Sequence, residues 1–323
     1  MSGRTEILVI KLSALGDMIL AFPAFARIRA AHPDARITLL TTPPFAELAR
    51  ASPFFDAVDA GGRPKRFRDF ITLARRLRRT RFARVYDLQG VDRTNFYFQL
   101  LRPWPPAWSG VAAGCALPHR NRNRMRMHTL ERQAEQLNHA GLAPVESVVQ
   151  GAAAPPDVSW LAARAAPAER PRRPLALLVP GASPRRPRKV WPAQNYAALA
   201  RSLLGDGFAV SILGGPAETA VGEAIATSAP GARDLTGRTS LAQLARLGEV
   251  ARVVIGNDTG PMHLLAAAGA PAVSLFSDDS DPDLCAPRGK VRVIRCADLA
   301  DLEVAPVLAA ALDFAALCER PTS

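Results

Sequence analysis

Short apolar runs alternate with amphipathic stretches along this chain, and the alternation is laid down twice. In the first half, runs at 7–11, 36–40 and 85–88 have the length and apolar content of buried strands. A helix-period pattern through Ile19, Leu20, Phe25 and Ile28 follows the first of them. Positions 67–77 and 129–142 also read as helices, the former with a heavily basic outer face. The stretch 145–174 is rich in Ala, Pro and Arg, the composition of a linker. Beyond it, strand-like runs at 175–179, 209–213, 253–255, 272–276 and 291–295 alternate with helix-like segments at 193–204, 219–228, 241–247 and 304–318. Strands separated by helices imply parallel sheets covered by helices. Two such sets predict two doubly wound α/β domains, 1–160 and 161–303, facing a central cleft. The last helix, within 304–323, is expected to pack back towards the first domain.

The sharpest local pattern is Arg252-Val253-Val254-Ile255-Gly256-Asn257-Asp258-Thr259-Gly260-Pro261-Met262-His263. An apolar strand enters a small polar loop and then a helix. Asp258 and Thr259 stand where an N-cap belongs, Pro261 suits the first helical position, and Gly269 stops the helix. The loop offers backbone N–H groups, a hydroxyl and an imidazole at the carboxyl end of a strand. In an open α/β sheet that is where anions bind. An ordinary capped turn accounts for the same residues.

Composition narrows the setting. A hydrophobic content of 48% suffices for packed cores, and no apolar run reaches membrane-spanning length. The first residues lack a signal-peptide pattern, so a cytosolic protein is expected. Cys115, Cys285, Cys296 and Cys318 are scattered, without metal-ligand spacing, and are expected to be reduced and structural. The net charge of +12 favours an acidic partner, whether nucleic acid, an anionic membrane surface or a phosphorylated substrate. Arginine as a default surface residue explains part of the excess, but less well its clustering at 63–84, 120–126 and 170–189. Aromatic residues make up only 6% and no nucleic-acid-binding module is recognisable, which counts against a nucleic-acid partner.

Four other loops carry candidate chemistry. In Lys11-Leu12-Ser13-Ala14-Leu15-Gly16-Asp17, Asp17 sits at a strand-to-helix turn. Its carboxylate can take a proton from a hydroxyl nucleophile, or merely cap the helix. In Pro180-Gly181-Ala182-Ser183-Pro184-Arg185-Arg186-Pro187-Arg188-Lys189, Ser183 and Lys189 could hold a diphosphate, although neither a P-loop nor a dinucleotide fingerprint is present. In Leu213-Gly214-Gly215-Pro216-Ala217-Glu218, paired glycines let a nucleoside approach the backbone and Glu218 could accept from ribose hydroxyls. A plain basic loop and a plain turn fit these two equally. The acidic run Ser277-Asp278-Asp279-Ser280-Asp281-Pro282-Asp283 reads as turn chemistry, not a metal site.

Together these segments resemble the heptosyltransferase family, glycosyltransferase family nine. The resemblance rests on 11–18, on Pro180-Gly181-Ala182-Ser183 with Lys189-Val190-Trp191-Pro192, on 213–218, and on 256–263, in order over most of the chain. The segments 276–282 and 286–289 also follow the family's ending. It implies a GT-B fold and an inverting enzyme without metal or other cofactor, which moves heptose from ADP-heptose to a lipopolysaccharide inner-core acceptor. By the same resemblance Asp17 is the base and Lys189 and Ser183 bind donor phosphates. Asp258 holds sugar hydroxyls, Glu218 takes the ribose beside Gly214 and Gly215, and Thr259, Gly260 and His263 face the diphosphate. Arg120, Arg122, Arg124 and Arg126 are expected either to hold acceptor anions at the inner leaflet, making the protein peripheral to the membrane, or to be solvated surface. The chain departs from the family in the extra arginines and prolines of 183–189, in Ser277-Asp278-Asp279, and throughout 104–126. Alternatives are a related transferase using another nucleotide sugar for another surface glycan, and a non-catalytic sugar-nucleotide-binding protein. Intact Asp17 and Lys189 count against the latter.

Overall fold

Each apolar run of the first half becomes a strand of one parallel sheet in the computed structural model, which describes residues 4–142, 155–169, 171–182 and 186–317. The chain divides into two units, Met1–Ala153 and Ala154–Ser323. The first contains β1 (Glu6–Ile10), α1 (Leu15–Ile19), α2 (Phe22–Ala31), β2 (Arg36–Leu40), α3 (Pro43–Ala51), β3 (Ala57–Asp59), α4 (Phe67–Thr80), β4 (Arg84–Asp87), α5 (Asp92–Leu100), β5 (Ala107–Gly110), β6 (Leu117–Pro118) and α6 (Thr129–His139). Its strand order is β3-β2-β1-β4-β5-β6, with every pairing parallel. Ile7 to Ile10 are buried without alternation, as a strand covered on both faces must be. The single helix expected through Ile19 and Ile28 is two, α1 and α2. Pro23 stands in the first turn of α2, where its missing N–H is tolerated but could not continue α1. Arg27 of α2 is buried and donates to the Ala134 carbonyl (3.1 Å), Asn138 Oδ1 (2.5 Å) and the Leu142 carbonyl (2.6 Å), which pins α6.

The second unit contains α7 (Ser159–Ala162), β7 (Leu175–Val179), α8 (Ala193–Gly205), β8 (Ala209–Ile212), α9 (Thr219–Ser228), β9 (Arg233–Asp234), α10 (Leu241–Val250), β10 (Val253–Asn257), α11 (Gly260–Ala267), β11 (Ala272–Phe276), α12 (Pro282–Cys285), β12 (Val291–Arg295) and α13 (Val304–Leu317). The strands run β12-β11-β10-β7-β8-β9, again all parallel. Numbered within its own unit, each sheet has the order 3-2-1-4-5-6. The order reverses between β1 and β4 in one sheet and between β7 and β10 in the other. Ligands of doubly wound sheets gather at that reversal, beyond the carboxyl ends of the strands.

The division falls at 153/154 and not at 160/161, because α7 packs on α10 and Arg246 Nε donates to the Ala165 carbonyl (3.4 Å). The last helix, α13, packs on α8 and on β10, β11 and β12 of its own unit. Val307, Ala311 and Ala315, one turn apart, form its buried stripe, and their small side chains let the helix lie close to the sheet. Among the described residues, no helix is long and apolar enough to cross a membrane.

Candidate active site

In the first unit, β1 runs directly into Lys11, which is buried, and then through a short loop into α1, whose first turn carries Asp17. Asp17 Oδ2 accepts the Ala14 N–H at 3.0 Å, so the carboxylate does cap α1. It also lines a polar pocket of about 170 Å³ with Lys11, Gln89, Arg124, Arg132 and Gln133. Burial lowers the pKa of Lys11, opposed by the charges of Asp17 and Asp87 and reinforced by Arg132. Burial likewise lowers that of Arg132, again opposed by Asp17. Two cations thus flank one partly exposed carboxylate, an arrangement suited to draw in an anionic acceptor and take a proton from its hydroxyl.

The floor of this pocket is fixed from β4. Asp87 is fully buried, and burial raises its pKa to about 6 against the opposing hydrogen bonds of Gly90, Thr94 and Gln89 and the charge of Lys11. The Gln89 and Gly90 N–H groups donate to its Oδ1 at 3.1 and 3.0 Å. Gln89 Oε1 in turn accepts the Leu12 N–H at 2.9 Å, which ties the loop after β4 to the loop after β1.

Of the four arginines expected to meet an acceptor, Arg124 lines this pocket. Arg120, Arg122 and Arg126 are exposed and are not among its lining residues. Alternate residues share a face only in an extended strand. Here the segment closes into a 3-10 turn at Arg124–Arg126, so the alternation of an extended strand does not hold along it. With Lys11, and with Arg132 from α6, Arg124 makes three cations around the pocket. A larger groove of about 820 Å³ is lined by Thr42, Arg63, Lys65, Arg66, Asp69 and Arg76, among others. Arg63 donates to Ser13 Oγ, which joins the groove to the Asp17 loop.

In the second unit, Lys189 and Asp258 form a buried ion pair, and His263 Nε2 lies 4.0 Å from Asp258 Oδ1. Thr259 is the N-cap of α11 in extended geometry, but its side chain makes no capping bond. The first N–H groups of a helix have no intrahelical acceptor, so Thr259 and Gly260 present a positive, anion-attracting end. Gly256 is required where it stands: a Cβ there would lie 2.7 Å from Val179 Cβ and 2.6 Å from Met262 Sδ.

Asn257 joins the parts. Its Oδ1 accepts the Tyr196 hydroxyl at 2.9 Å and the Trp191 N–H at 3.3 Å, while Nδ2 donates to the Pro180 carbonyl at 2.8 Å. Pro180 leads to Gly181, where a Cβ would meet Glu218 Cγ at 3.1 Å. Glu218 Oε2 accepts the Gly215 N–H at 2.7 Å, and a Cβ on Gly214 would stand 2.8 Å from Glu218 Cβ. Glu218, Gly214 and Gly215 therefore make one corner, linked through Pro180 and Asn257 to Asp258, Lys189 and His263. Ser183 lies outside the described residues. Arg186 donates to the Asp279 carbonyl at 3.0 Å and Arg188 lies 4.0 Å from the Asp279 carboxylate, so the basic loop folds against the acidic turn. Among the described residues, no group of three or more His, Cys, Asp or Glu side chains is placed to hold a metal ion.

Lys11, Gln89, Arg132, Gln133 and Asn257 received no role from the sequence. For Lys11 a signal existed, since a lysine closing an apolar strand must be buried or functional. Gln89, Arg132 and Gln133 reach the pocket only through the fold.

Comparison with known proteins gives a consistent result. The family model for glycosyltransferase family 9 (heptosyltransferase) matches residues 70–303. Lipopolysaccharide heptosyltransferase 2 of Escherichia coli (strain K12) is 28% identical over 328 residues, covering 90% of this chain and 88% of that protein. Among solved structures, E. coli ADP-heptose LPS heptosyltransferase II superposes with a TM-score of 0.75 at 23% identity, covering 97% of this chain and 99% of that one. A glycosyl transferase family 9 protein from Veillonella parvula does so with a TM-score of 0.77 at 19% identity, covering 97% of each.

Proposed function

The chain belongs to glycosyltransferase family 9, and on that premise we propose that it moves heptose, with inversion and without a metal, from ADP-heptose to a lipopolysaccharide inner-core acceptor. The donor reading is carried by the Lys189–Asp258 pair beside the α11 N-terminus, with the Glu218 corner joined to it through Asn257. Asp17 takes the proton from the acceptor hydroxyl, whose oxygen bonds to the anomeric carbon. The bond from that carbon to the diphosphate breaks, and ADP departs with the electron pair. Charge grows on the leaving diphosphate, and Lys189, His263 and the amides of Thr259 and Gly260 are disposed to stabilise it, the work a divalent ion does elsewhere. Asp258 orients Lys189 and accepts from sugar hydroxyls. Glu218 accepts from the ribose. On the acceptor side, Arg124, Arg132 and Lys11 meet anionic groups around Asp17, and Arg63, Lys65 and Arg66 extend that surface.

The enzyme works in the cytoplasm, held peripherally at the inner face of the membrane. Support comes from α4, which exposes Arg68, Arg75 and Arg79, and from exposed aromatics nearby in the chain, Phe67 (78%) and Trp104 (89%). Basic residues with interfacial aromatics suit an anionic leaflet.

A thermal-shift comparison of ADP, UDP and GDP tests the donor, and only ADP is expected to raise the unfolding temperature strongly. Turnover of ADP-heptose with a core acceptor is expected to survive EDTA. A preference for UDP or GDP would overturn the donor assignment, and loss of turnover in EDTA would overturn the metal-free mechanism.

A further inference from the structure

We infer that Gln133 is a specificity-determining residue for the acceptor, its carboxamide hydrogen-bonding a sugar hydroxyl close to the one that Asp17 deprotonates; this rests on the acceptor role proposed for the Asp17 pocket. The inner side of α6 is polar where it meets that pocket. Gln136 is buried and satisfied, its Nε2 donating to the carbonyls of Asp87 at 3.0 Å and Ser109 at 3.2 Å. Gln133 lines the same pocket and is only 2% exposed, yet neither its Oε1 nor its Nε2 has a hydrogen-bond partner. Among the described residues lining this pocket, it is the one whose buried side-chain polar atoms are left unsatisfied.

An unbonded buried amide destabilises the fold, and a leucine or methionine would fill the position better. The amide makes sense if a bound molecule completes it. A hydroxyl both accepts from Nε2 and donates to Oε1, which an anion cannot do. The cations Lys11, Arg124 and Arg132 serve anionic groups of the acceptor, and Gln133 is left to read a neutral one. The pocket, at about 170 Å³, is a monosaccharide-scale space and not a single-water site. Its α6 wall is held in place beforehand by Arg27 on one side and by Glu135 on the other, the latter bonded to His119 at 2.7 Å and Asn121 at 2.9 Å.

Gln133→Met keeps the volume and removes both polar atoms. The probes are ADP-heptose, a deacylated inner-core oligosaccharide, and oligosaccharides lacking single hydroxyls on the acceptor sugar. The variant is expected to raise the acceptor KM by about 10-fold or more, leaving the donor KM unchanged and the unfolding temperature equal to or above that of wild type. Wild type should discriminate against one deoxy acceptor, and the variant should lose that discrimination. The Gln133 side-chain amide resonance, assigned by its absence in the variant, should shift when the oligosaccharide is titrated, with or without turnover. An acceptor KM within about two-fold of wild type with discrimination retained would overturn the assignment. So would a fall in unfolding temperature with parallel loss of donor binding, which marks a structural residue. Asp17→Asn separates the two levels. Retained turnover in that variant removes the pocket's acceptor role itself, whereas its collapse beside an indifferent Gln133→Met removes only the inference.

Discussion

At the reversal of the first sheet, β1 gives way to a short loop and to α1, whose Asp17 carboxylate is partly exposed, caps that helix and shares a small pocket with three cations. At the reversal of the second, built on the same strand order, Asp258 is sealed and ion-paired with an equally sealed Lys189. The strands beside them differ in the same sense. β4 ends in Asp87, a buried carboxyl with a raised pKa, whereas β10 ends in Asn257, neutral and bonded through both its oxygen and its nitrogen. One topology thus holds two carboxylates in opposite settings. The one proposed to exchange a proton stays near solvent. The one proposed to hold sugar hydroxyls is fixed by burial and by pairing with a lysine.

The largest test of this contrast is Asp17→Ala. Losing a general base is expected to lower kcat by about 10²- to 10⁴-fold, with ADP binding within about two-fold of wild type by calorimetry. A comparable loss of ADP binding would erase the division of labour. Next is Lys189→Met, which strands the Asp258 carboxylate in a buried site. Chemical denaturation should show a loss of about 3–5 kcal/mol, and adding Asp258→Asn should recover part of it. If the single variant is as stable as wild type, Asp258 is not held in the way described.

Asp87 gives a smaller effect that depends on pH. Its carboxyl ionises near 3.8 when unfolded and near 6 when folded. Between those values the folded state keeps a proton that the unfolded state has lost, so its contribution to stability is complete below about pH 4 and falls as pH rises to about 6. The full difference is at most about 3 kcal/mol. Asp87→Asn, which can still accept from Gln89 and Gly90, should flatten that slope in urea melts across this range. An unchanged slope would mean that burial does not hold the proton there. The smallest test concerns the arginines. Arg186 and Arg188 lie against Asp279, whereas Arg75 and Arg79 are exposed on α4. Reversing Arg75 and Arg79 to Glu should weaken binding to anionic vesicles by about 1 kcal/mol per residue replaced, in a salt-dependent way, while reversing Arg186 and Arg188 should do much less. Equal effects would show that the basic surface acts without regard to unit.

The contrast also explains what could be read from the chain in advance. The long apolar strands announce themselves because both faces are buried. β3, β6 and β9 are only two or three residues long, and α5 buries Thr94, Tyr97 and Phe98 without a clean apolar period, so they escape the pattern. The residues proposed to bind the donor were visible as candidates because each lies on or just after a strand-to-helix loop contiguous in sequence, as in Asp258 to His263. The pocket proposed for the acceptor was not. Leu12 and Gln89 are 77 positions apart, Arg132 and Gln133 come from a helix with no motif, and of the arginine series at 120–126 only Arg124 lines the pocket.

The docking of α13 within its own unit carries a consequence for descent. All strands of each sheet, and the helix that closes the second, come from one uninterrupted stretch of chain on either side of position 154. A single recombination between related genes near that codon would exchange a whole half, leaving every sheet intact. On the proposed division of roles, acceptor preference and donor preference could then be inherited separately, and a chimera joined there is the natural starting material for redirecting one without disturbing the other.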